Sequence, residues 1–387
     1  MDVNINNENE NQEKPVEEKV EENKVEEKVE EKVEVPEEKP KKRRKKKVEK
    51  VKKDLGIGLD VGTMFCISAR SSDDEASFKV QRDAFFDIEN NKMSKGMLDK
   101  LGANYIESEN KKSLYVLGDE ALQMGNFFNK EIRRPLSGGV ISTREEEALV
   151  MIKVILKNLV GEPLEKDEVC HFSIPASSLD EDNFNVVYHE NMLKSFLTSF
   201  GYNAIPLNEA VAVGWSELDD ENFTGLALSF GAGMVNAALL FLGVSDTKHQ
   251  FSVSRSGDWI DEGASKAIGV KASKITAIKE SGIDLLNPKT REEQSIKIYY
   301  ENLISYVCNA LEKKMRNSED VPNFPEPITV VVSGGTSKIG NFEKVFEEEL
   351  KKKDFPFQIK KVKKAEDQLN AVSKGCLLNS LNYYSEE

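Results

Sequence analysis

Apolar and polar residues are distributed very unevenly along the chain. Residues 1–53 are mostly charged or polar and contain no aromatic residue, whereas apolar runs typical of a packed core recur from Leu55 onward. Three of these runs are short apolar strands that end in small residues. In the first, Ile57, Leu59 and Val61 alternate with small or polar positions, which is the period of a β-strand. The pattern therefore divides the protein into a charged tail and a globular body.

The first of the three runs leads into a tight turn at Gly62 and Thr63, and a second predicted strand follows. A turn without a large side chain lets backbone N–H groups approach a phosphate closely. Asp60 lies at this turn, where it would hold Mg²⁺ through water or simply cap the turn. The dinucleotide fingerprint G-x-G-x-x-G fails here, because its third glycine would fall on Val61 and no helix follows. The P-loop motif G-x-x-x-x-G-K-[ST] does not occur in the chain.

The second run repeats this arrangement. Residues 226–230 form an apolar strand that leads through Gly231, Ala232 and Gly233 into another predicted strand. Such a turn would clamp terminal phosphates from the side opposite the first turn. Its alternative interpretation is a plain hairpin turn.

The third run, residues 328–333, leads through Gly334 and Gly335 toward a helix predicted from about Asn341 to Lys352. A buried strand, a glycine pair and a helix form a ligand-binding edge of the kind found at the carboxyl ends of strands. The amino end of a helix also favours anionic groups nearby. Each run alone is a weak signal, but three in this order indicate a nucleotide-binding body.

These turns resemble those of the superfamily of actins, DnaK-type chaperones and sugar kinases. In that superfamily two phosphate loops and an adenosine loop converge on one cleft. Residues 117–121, 134–136 and 139–141 are also similar to a segment of bacterial actins of the MreB type, and the resemblance runs from about Leu55 to Leu381. It implies a two-lobed α/β fold, each lobe a mixed β-sheet flanked by helices, with a nucleotide in the interlobe cleft.

The resemblance also implies roles for particular residues. Asp60 would hold the metal, and Glu209 would orient or deprotonate the attacking water, so these two are the catalytic candidates. The alternative for Glu209 is an acid that favours a helix dipole, and the alternative for Lys279 is a solvated surface lysine. ATP or ADP with Mg²⁺ is the implied ligand. The expected nucleotide contacts are Gly62, Thr63, Met64, Ser229, Gly231, Ala232, Gly233, Lys279, Gly334, Gly335 and Thr336.

The sequence departs from the family pattern at several of these positions. Ser229 replaces an aspartate that helps to hold Mg²⁺, Ala232 replaces a glycine, Gly138 replaces an aspartate and Thr276 replaces a glutamate. Losing one carboxylate near Mg²⁺ weakens metal binding and slows hydrolysis. Backbone N–H groups do most of the phosphate binding, so we expect a nucleotide-binding protein with slow or divergent ATPase activity.

The charge of the tail changes from negative to positive along its length. Residues 1–38 are rich in glutamate and too poor in apolar residues to fold alone, which predicts disorder or transient helix. Residues 39–53, with Lys39 and Lys53 at their ends, are strongly basic. They are either a solvated linker or an attachment site for an anionic membrane surface or nucleic acid.

We predict a first lobe at 54–205 plus 366–387 and a second lobe at 206–365 with a shortened upper subdomain.

Composition narrows the classes of function further. The net charge of −14 argues against general nucleic-acid binding by the body. No apolar stretch is long enough for a transmembrane helix, and the acidic amino end is unlike a signal peptide. The four cysteines have no metal or redox spacing, which favours a reducing cytoplasm, with attachment at a membrane or cargo surface through the tail.

Three functions remain after this reading. The leading one is an actin-like cytoskeletal protein that forms nucleotide-dependent filaments for cell shape, segregation or positioning. A chaperone-like or reactivase-like switch is the second, although no substrate-binding domain follows the body in this sequence. The third is a nucleotide-binding scaffold that does not hydrolyse ATP.

Overall fold

The computed structural model describes residues 55–385 apart from 73–74, 129, 182–183, 185 and 319. The predictions made for the tail, residues 1–53, lie outside the described residues. The strands are β1 Ile57–Val61, β2 Phe65–Ser72, β3 Glu75–Arg82, β4 Phe85–Glu89, β5 Tyr105–Glu107, β6 Ser113–Leu117, β7 Leu136–Ser137, β8 Val140–Ile141, β9 Glu168–Ile174, β10 Tyr202–Asn208, β11 Gly225–Phe230, β12 Val235–Leu240, β13 Gln250–Val253, β14 Ile328–Ser333 and β15 Ile359–Lys364. The α-helices are α1 Lys92–Leu101, α2 Gly118–Phe127, α3 Ala148–Val160, α4 Val186–Ser199, α5 Glu209–Glu217, α6 Gly257–Ile268, α7 Ala272–Glu280, α8 Arg291–Arg316, α9 Phe342–Leu350 and α10 Ala371–Ser385.

Two five-stranded sheets with the same topology organise the body. The first has the order β10-β9-β1-β2-β3, and the second, read in the same sense, has the order β15-β14-β11-β12-β13. In each sheet three consecutive strands form an antiparallel meander, and two later strands are added in parallel. The turns after β1 and β11 therefore occupy equivalent places in the two sheets. The predicted two-lobed α/β fold is confirmed.

The central strands are buried from end to end. Every residue of β11, β12 and β14 is buried, and their sequences are apolar runs interrupted mainly by serine, threonine and asparagine. Near-continuous apolar strands are expected where helices cover both faces of a sheet. Helix α8 covers one face of the second sheet with an apolar stripe that includes Leu303, Val307 and Leu311.

The closing helix α10 packs on β1, β9 and the connecting helix α5. The approach to α5 is very close: a Cβ at Gly375 would lie 1.8 Å from the carbonyl oxygen of Ala212. Only glycine fits at such a contact without moving one of the helices. This packing holds the start of α5, and with it Glu209, against the first sheet.

Smaller elements complete the two lobes. Strands β4, β6 and β5 form a separate sheet, β7 and β8 form a short hairpin, and helices α6 to α8 link β13 to β14. Strand β10 belongs to the first sheet and ends at Asn208, close to the boundary between the lobes that the sequence predicted. The domain boundaries themselves remain predictions. None of the helices in the described part of the chain is long and apolar enough to cross a membrane.

Candidate functional site

One cavity of about 440 Å³ lies where the ends of the two sheets face each other. It is lined by the turn after β1, the turn after β11, the loop after β14, the start of α5 and parts of α6 and α7. The structure brings every predicted site residue to this cavity: Asp60, Gly62, Thr63, Met64, Glu209, Ser229, Gly231, Ala232, Gly233, Lys279, Gly334, Gly335 and Thr336. Their roles toward a ligand remain predictions.

Asp60 lies near the end of β1, and its carboxylate is oriented by a neighbouring strand. The Ser173 hydroxyl donates a hydrogen bond to Asp60 Oδ1 at 2.9 Å, and it accepts one from the backbone N–H of Val61 at 2.9 Å. Burial raises the pKa of Asp60 to about 7, although the Ser173 hydrogen bond acts in the opposite direction. The cost of burying the carboxylate therefore exceeds the stabilisation that the Ser173 hydrogen bond gives to its charge.

Glu209 is the first residue of α5, where Asn208 caps the helix through its side chain. The side-chain amide of Asn236 donates a hydrogen bond to Glu209 Oε2 at 3.0 Å, and the Ser229 hydroxyl donates a longer one at 3.4 Å. Burial, followed by the negative charge of Asp60, raises the pKa of Glu209 to about 8. Two buried acids in one cavity make the ionisation of each other less favourable. A cation between or beside them would offset the repulsion between their negative charges, so the arrangement favours one.

Asn236 is a site residue that sequence reasoning missed. It lies opposite Ser229 in the antiparallel pair of β11 and β12, and it is fully buried. Its Oδ1 accepts the backbone N–H of Ala176 at 2.9 Å, so its Nδ2 is fixed as the donor to Glu209. The sequence signal that could have identified it is a strongly polar residue inside an apolar strand. Such a residue must find a hydrogen-bond partner when it is buried.

The two glycine turns face each other directly. The Gly62 N–H donates to the Phe65 carbonyl at 3.2 Å, and the Gly231 N–H donates to the Met234 carbonyl at 2.9 Å, so both are tight hairpins. A Cβ at Gly233 would lie 2.3 Å from the hydroxyl oxygen of Thr63. The two turns therefore lie against each other at the cavity, and a phosphate chain held between them remains a prediction.

The loop after β14 is attached to the second turn. Gly334 has φ +89°, and a Cβ there would lie 2.3 Å from the carbonyl oxygen of Phe230, so the position requires glycine. The Thr336 hydroxyl donates to the Gly231 carbonyl at 2.8 Å, and its own carbonyl accepts the Tyr300 hydroxyl at 3.0 Å. The predicted helix after this loop is confirmed as α9, preceded by a single turn of 3₁₀ helix.

Lys279 lies on the cavity wall, but its charge is already paired. Its ammonium group lies 2.7 Å from Asp261 and donates to the Gly257 carbonyl at 3.0 Å. The Thr276 hydroxyl donates to the other oxygen of Asp261 at 2.8 Å. Burial raises the pKa of Asp261, and Lys279 opposes that rise. A nucleoside contact by Lys279 would therefore share the ammonium group with Asp261.

Two ion pairs join the walls of the cavity, and the sequence did not predict either. Arg134 lies 3.0 Å from Asp258 at the start of α6, and Arg82 on β3 lies 3.5 Å from Glu280 at the end of α7. Each pair links an element associated with the first sheet to a helix associated with the second. Both pairs therefore bridge the two walls of the cavity in this conformation.

The residues present fit a magnesium ion bound together with phosphates. Within the described residues no cluster of three or more acidic, histidine or cysteine side chains forms a complete metal site. Mg²⁺ usually keeps several waters and takes one or two carboxylates plus phosphate oxygens. Asp60 and Glu209, both with raised pKa values, are the carboxylates that would face it.

Two like sheets that meet at a glycine-lined cavity are the arrangement of the superfamily of actins, DnaK-type chaperones and sugar kinases. Among solved structures the chain is similar to a MamK double helical filament, with 19% identity, 86% of this chain and 99% of that chain covered, and a TM-score of 0.64. It is also similar to MreB5 of Spiroplasma citri bound to ADP, with 17% identity, 87% and 98% covered, and a TM-score of 0.60. The resemblance to actin-like proteins of the MreB type is confirmed at the level of the fold.

The family follows from the sequence match. The model of the volactin family matches residues 55–380, which is most of the chain, so the protein belongs to the volactin family. No curated protein matches the sequence.

Proposed function

We propose that the protein is an actin-like cytoskeletal protein that binds ATP or ADP with Mg²⁺, hydrolyses ATP slowly and forms nucleotide-dependent filaments. The observation that carries the proposal is the convergence of three glycine turns and two carboxylates on one cavity. Backbone N–H groups at tight turns bind phosphate, and a nearby acid binds the accompanying cation. In this proposal Mg²⁺ supplies neutralisation of phosphate charge.

Slow hydrolysis follows from the residues around Glu209. A general base must be deprotonated when water attacks, yet burial and Asp60 raise the pKa of Glu209 to about 8. Ser229 provides a hydroxyl at 3.4 Å and no second carboxylate for the cation. Asn236 orients Glu209 without giving it a positive charge. In this proposal the raised pKa of Glu209 and the missing second carboxylate therefore weaken nucleotide binding less than they slow ATP hydrolysis.

Filament formation is supported by the fold and by two structures to which the chain is similar. One similar structure is a double helical filament of MamK, and another is a MamK mutant described as non-polymerising and bound to AMPPNP. A single pair of unlike surfaces that does not close into a ring produces an open polymer. A role in cell shape, segregation or positioning, and a cytoplasmic location, are part of the proposal.

Titration of the full chain with ATP in a calorimeter, with Mg²⁺ and then with EDTA, tests nucleotide binding. We expect a one-to-one complex that is tighter with Mg²⁺. Sedimentation and electron microscopy of the same protein with ATP, with ADP and without nucleotide then test the filament. Absence of binding at millimolar nucleotide would refute the proposal at its first step, and a protein that binds but stays monomeric in every state would refute its second.

A scaffold that binds nucleotide without hydrolysing it is the second candidate. The absence of an aspartate at Ser229, at the opening of the second turn, is the observation that favours it. Phosphate release distinguishes the two, because the scaffold would form the same complex and release no phosphate above the rate of free ATP.

A further inference from the structure

One ion pair connects the two glycine turns to each other. Arg134 lies just before β7, and Asp258 lies in the first turn of α6. One guanidinium nitrogen of Arg134 lies 3.0 Å from Asp258 Oδ2 and 3.3 Å from Asp258 Oδ1. The same nitrogen donates to the Thr63 carbonyl of the first turn at 3.5 Å. The Asp258 N–H donates to the Ala232 carbonyl of the second turn at 2.8 Å, so the pair ties one turn to the other.

A buried acid attaches the segment that carries Arg134 to the first turn. Asp83 is fully buried, and its Oδ2 accepts the backbone N–H of Leu136 at 3.0 Å. The Asp83 N–H donates to the Met64 carbonyl at 3.0 Å. Burial raises the pKa of the Asp83 carboxyl, and the charge of Arg134 opposes that rise. The position of Arg134 beside Thr63 is therefore set by contacts on the side of the first lobe.

The same segment also touches both turns directly. The Gly139 N–H donates to the Thr63 hydroxyl at 3.0 Å. A Cβ at Gly139 would lie 2.7 Å from Cγ of Met234, which follows the second turn. These groups are packed without spare space, so a ligand held between the turns is released only when the turns move apart. Such a movement stretches the contact between Arg134 and Asp258.

The second ion pair across the cavity is a weaker connection. Arg82 lies 3.5 Å from Glu280, but its Nε donates to Asp119 on α2 at 2.7 Å. The side chain of Glu280 is 48% exposed, whereas those of Arg134 and Asp258 are 34% and 26% exposed. Water and salt screen an exposed pair more than a half-buried one. The contact between Arg134 and Asp258 is therefore the stronger link between the walls.

We propose that the Arg134–Asp258 pair is a latch that holds the two turns together over a bound nucleoside triphosphate and limits its rate of dissociation. The inference rests on the proposed nucleotide binding and adds to it the residues that control release. Opening of the turns breaks the pair, so the pair slows dissociation. Loss of either charge removes this barrier and leaves the backbone of both turns in place.

The test compares two neighbouring arginines in the full chain. Arg134→Gln removes the charge of the latch. Arg133→Gln removes an equal charge whose partners, Asp87 and Glu145, lie at 3.0 Å and 3.1 Å within the first lobe. The side chains of the two arginines are similarly exposed, 29% for Arg133 and 34% for Arg134. Arg133 is therefore a matched control for the loss of an arginine in this segment.

Stopped-flow fluorescence measures dissociation. Each protein is loaded with Mg²⁺ and an ATP that carries a methylanthraniloyl group, and excess unlabelled ATP then displaces the labelled nucleotide. We expect Arg134→Gln to release it about two- to fivefold faster than the wild type, and Arg133→Gln to release it at the wild-type rate. The difference between Arg134→Gln and the wild type should shrink at about 1 M salt, where charges are strongly screened.

A second substitution tests whether the two residues act as a pair. Asp258→Asn should accelerate release by a similar factor, and the double variant with Arg134→Gln should release no faster than either single variant. Unchanged release in Arg134→Gln, or factors that multiply in the double variant, would show that the pair is not a latch while nucleotide binding stands.

Two further outcomes separate this inference from the function on which it rests. If Asp258→Asn removes the gain in affinity that Mg²⁺ provides while Arg134→Gln changes nothing, Asp258 is a metal ligand and the inference is wrong. If the wild type binds no nucleotide, with or without Mg²⁺, the proposed function and this inference fall together.

Discussion

Replacement of Glu209 by glutamine should stabilise the protein in the absence of nucleotide, and the gain should grow with pH. The pKa of Glu209 is about 8 in the folded protein against an ordinary value of 4.5, so the folded state keeps a proton that the unfolded state releases between those values. The contribution of Glu209 to the free energy of unfolding of the wild type is therefore fully present below about pH 4.5. That contribution is lost as the pH rises toward 8. Glutamine titrates nowhere in this range, and its oxygen can still accept the hydrogen bond from Asn236.

The size of the effect follows from the same two pKa values. Linkage gives a gain in the free energy of unfolding of roughly 3 kcal/mol at pH 7 and about 1 kcal/mol at pH 5. Urea denaturation of the full chain, in EDTA and without nucleotide, measures both values. Glu262→Gln, on an exposed face of α6, is the control and should change stability little at either pH. A Glu209→Gln protein that is no more stable than the wild type at pH 7, or equally more stable at both pH values, would show that the carboxyl group is not held protonated by its surroundings.

Three further predictions concern the metal, the reaction and the tail. Asp60→Asn should reduce the gain in ATP affinity that Mg²⁺ provides by about tenfold, because the carboxylate facing the cation is lost; calorimetry with Mg²⁺ and with EDTA measures this, and an unchanged gain contradicts it. Ser229→Asp should increase Mg²⁺-dependent phosphate release by restoring a second carboxylate, and an unchanged rate beside a briskly hydrolysing wild type would mean that another residue holds the metal. Replacement of residues 41–44 by glutamine should weaken binding to anionic liposomes by about 1 kcal/mol per charge removed, and unchanged co-sedimentation at low salt would identify the basic stretch as a linker.

Much of the fold and the location of the site were predictable because their signals are local. Short apolar strands followed by glycine mark the turns after β1 and β11 in the sequence itself, and both turns are present where they were predicted. The glycine pair after β14 and the helix beyond it were predicted for the same reason. A resemblance in the order of these turns then indicated that they meet, and they do line one cavity.

The electrostatic state of the site was not predictable from the sequence. The raised pKa of Glu209 depends on its burial beside Asp60, which is remote from it in the chain. Asn236 acquires its role only because the Ala176 N–H fixes its amide from another strand. Lys279 was predicted as a ligand contact, but only the structure places Asp261 at 2.7 Å from it.

The sequence by itself therefore determined the strands and the glycine turns, because propensity and periodicity act over a few neighbouring residues, and the class of fold was implied by a resemblance in the order of these turns. The tertiary structure alone decided which polar groups share the cavity and which charges are already paired. Burial and Coulomb interactions depend on distances between residues that are far apart in the chain, and only packing sets those distances.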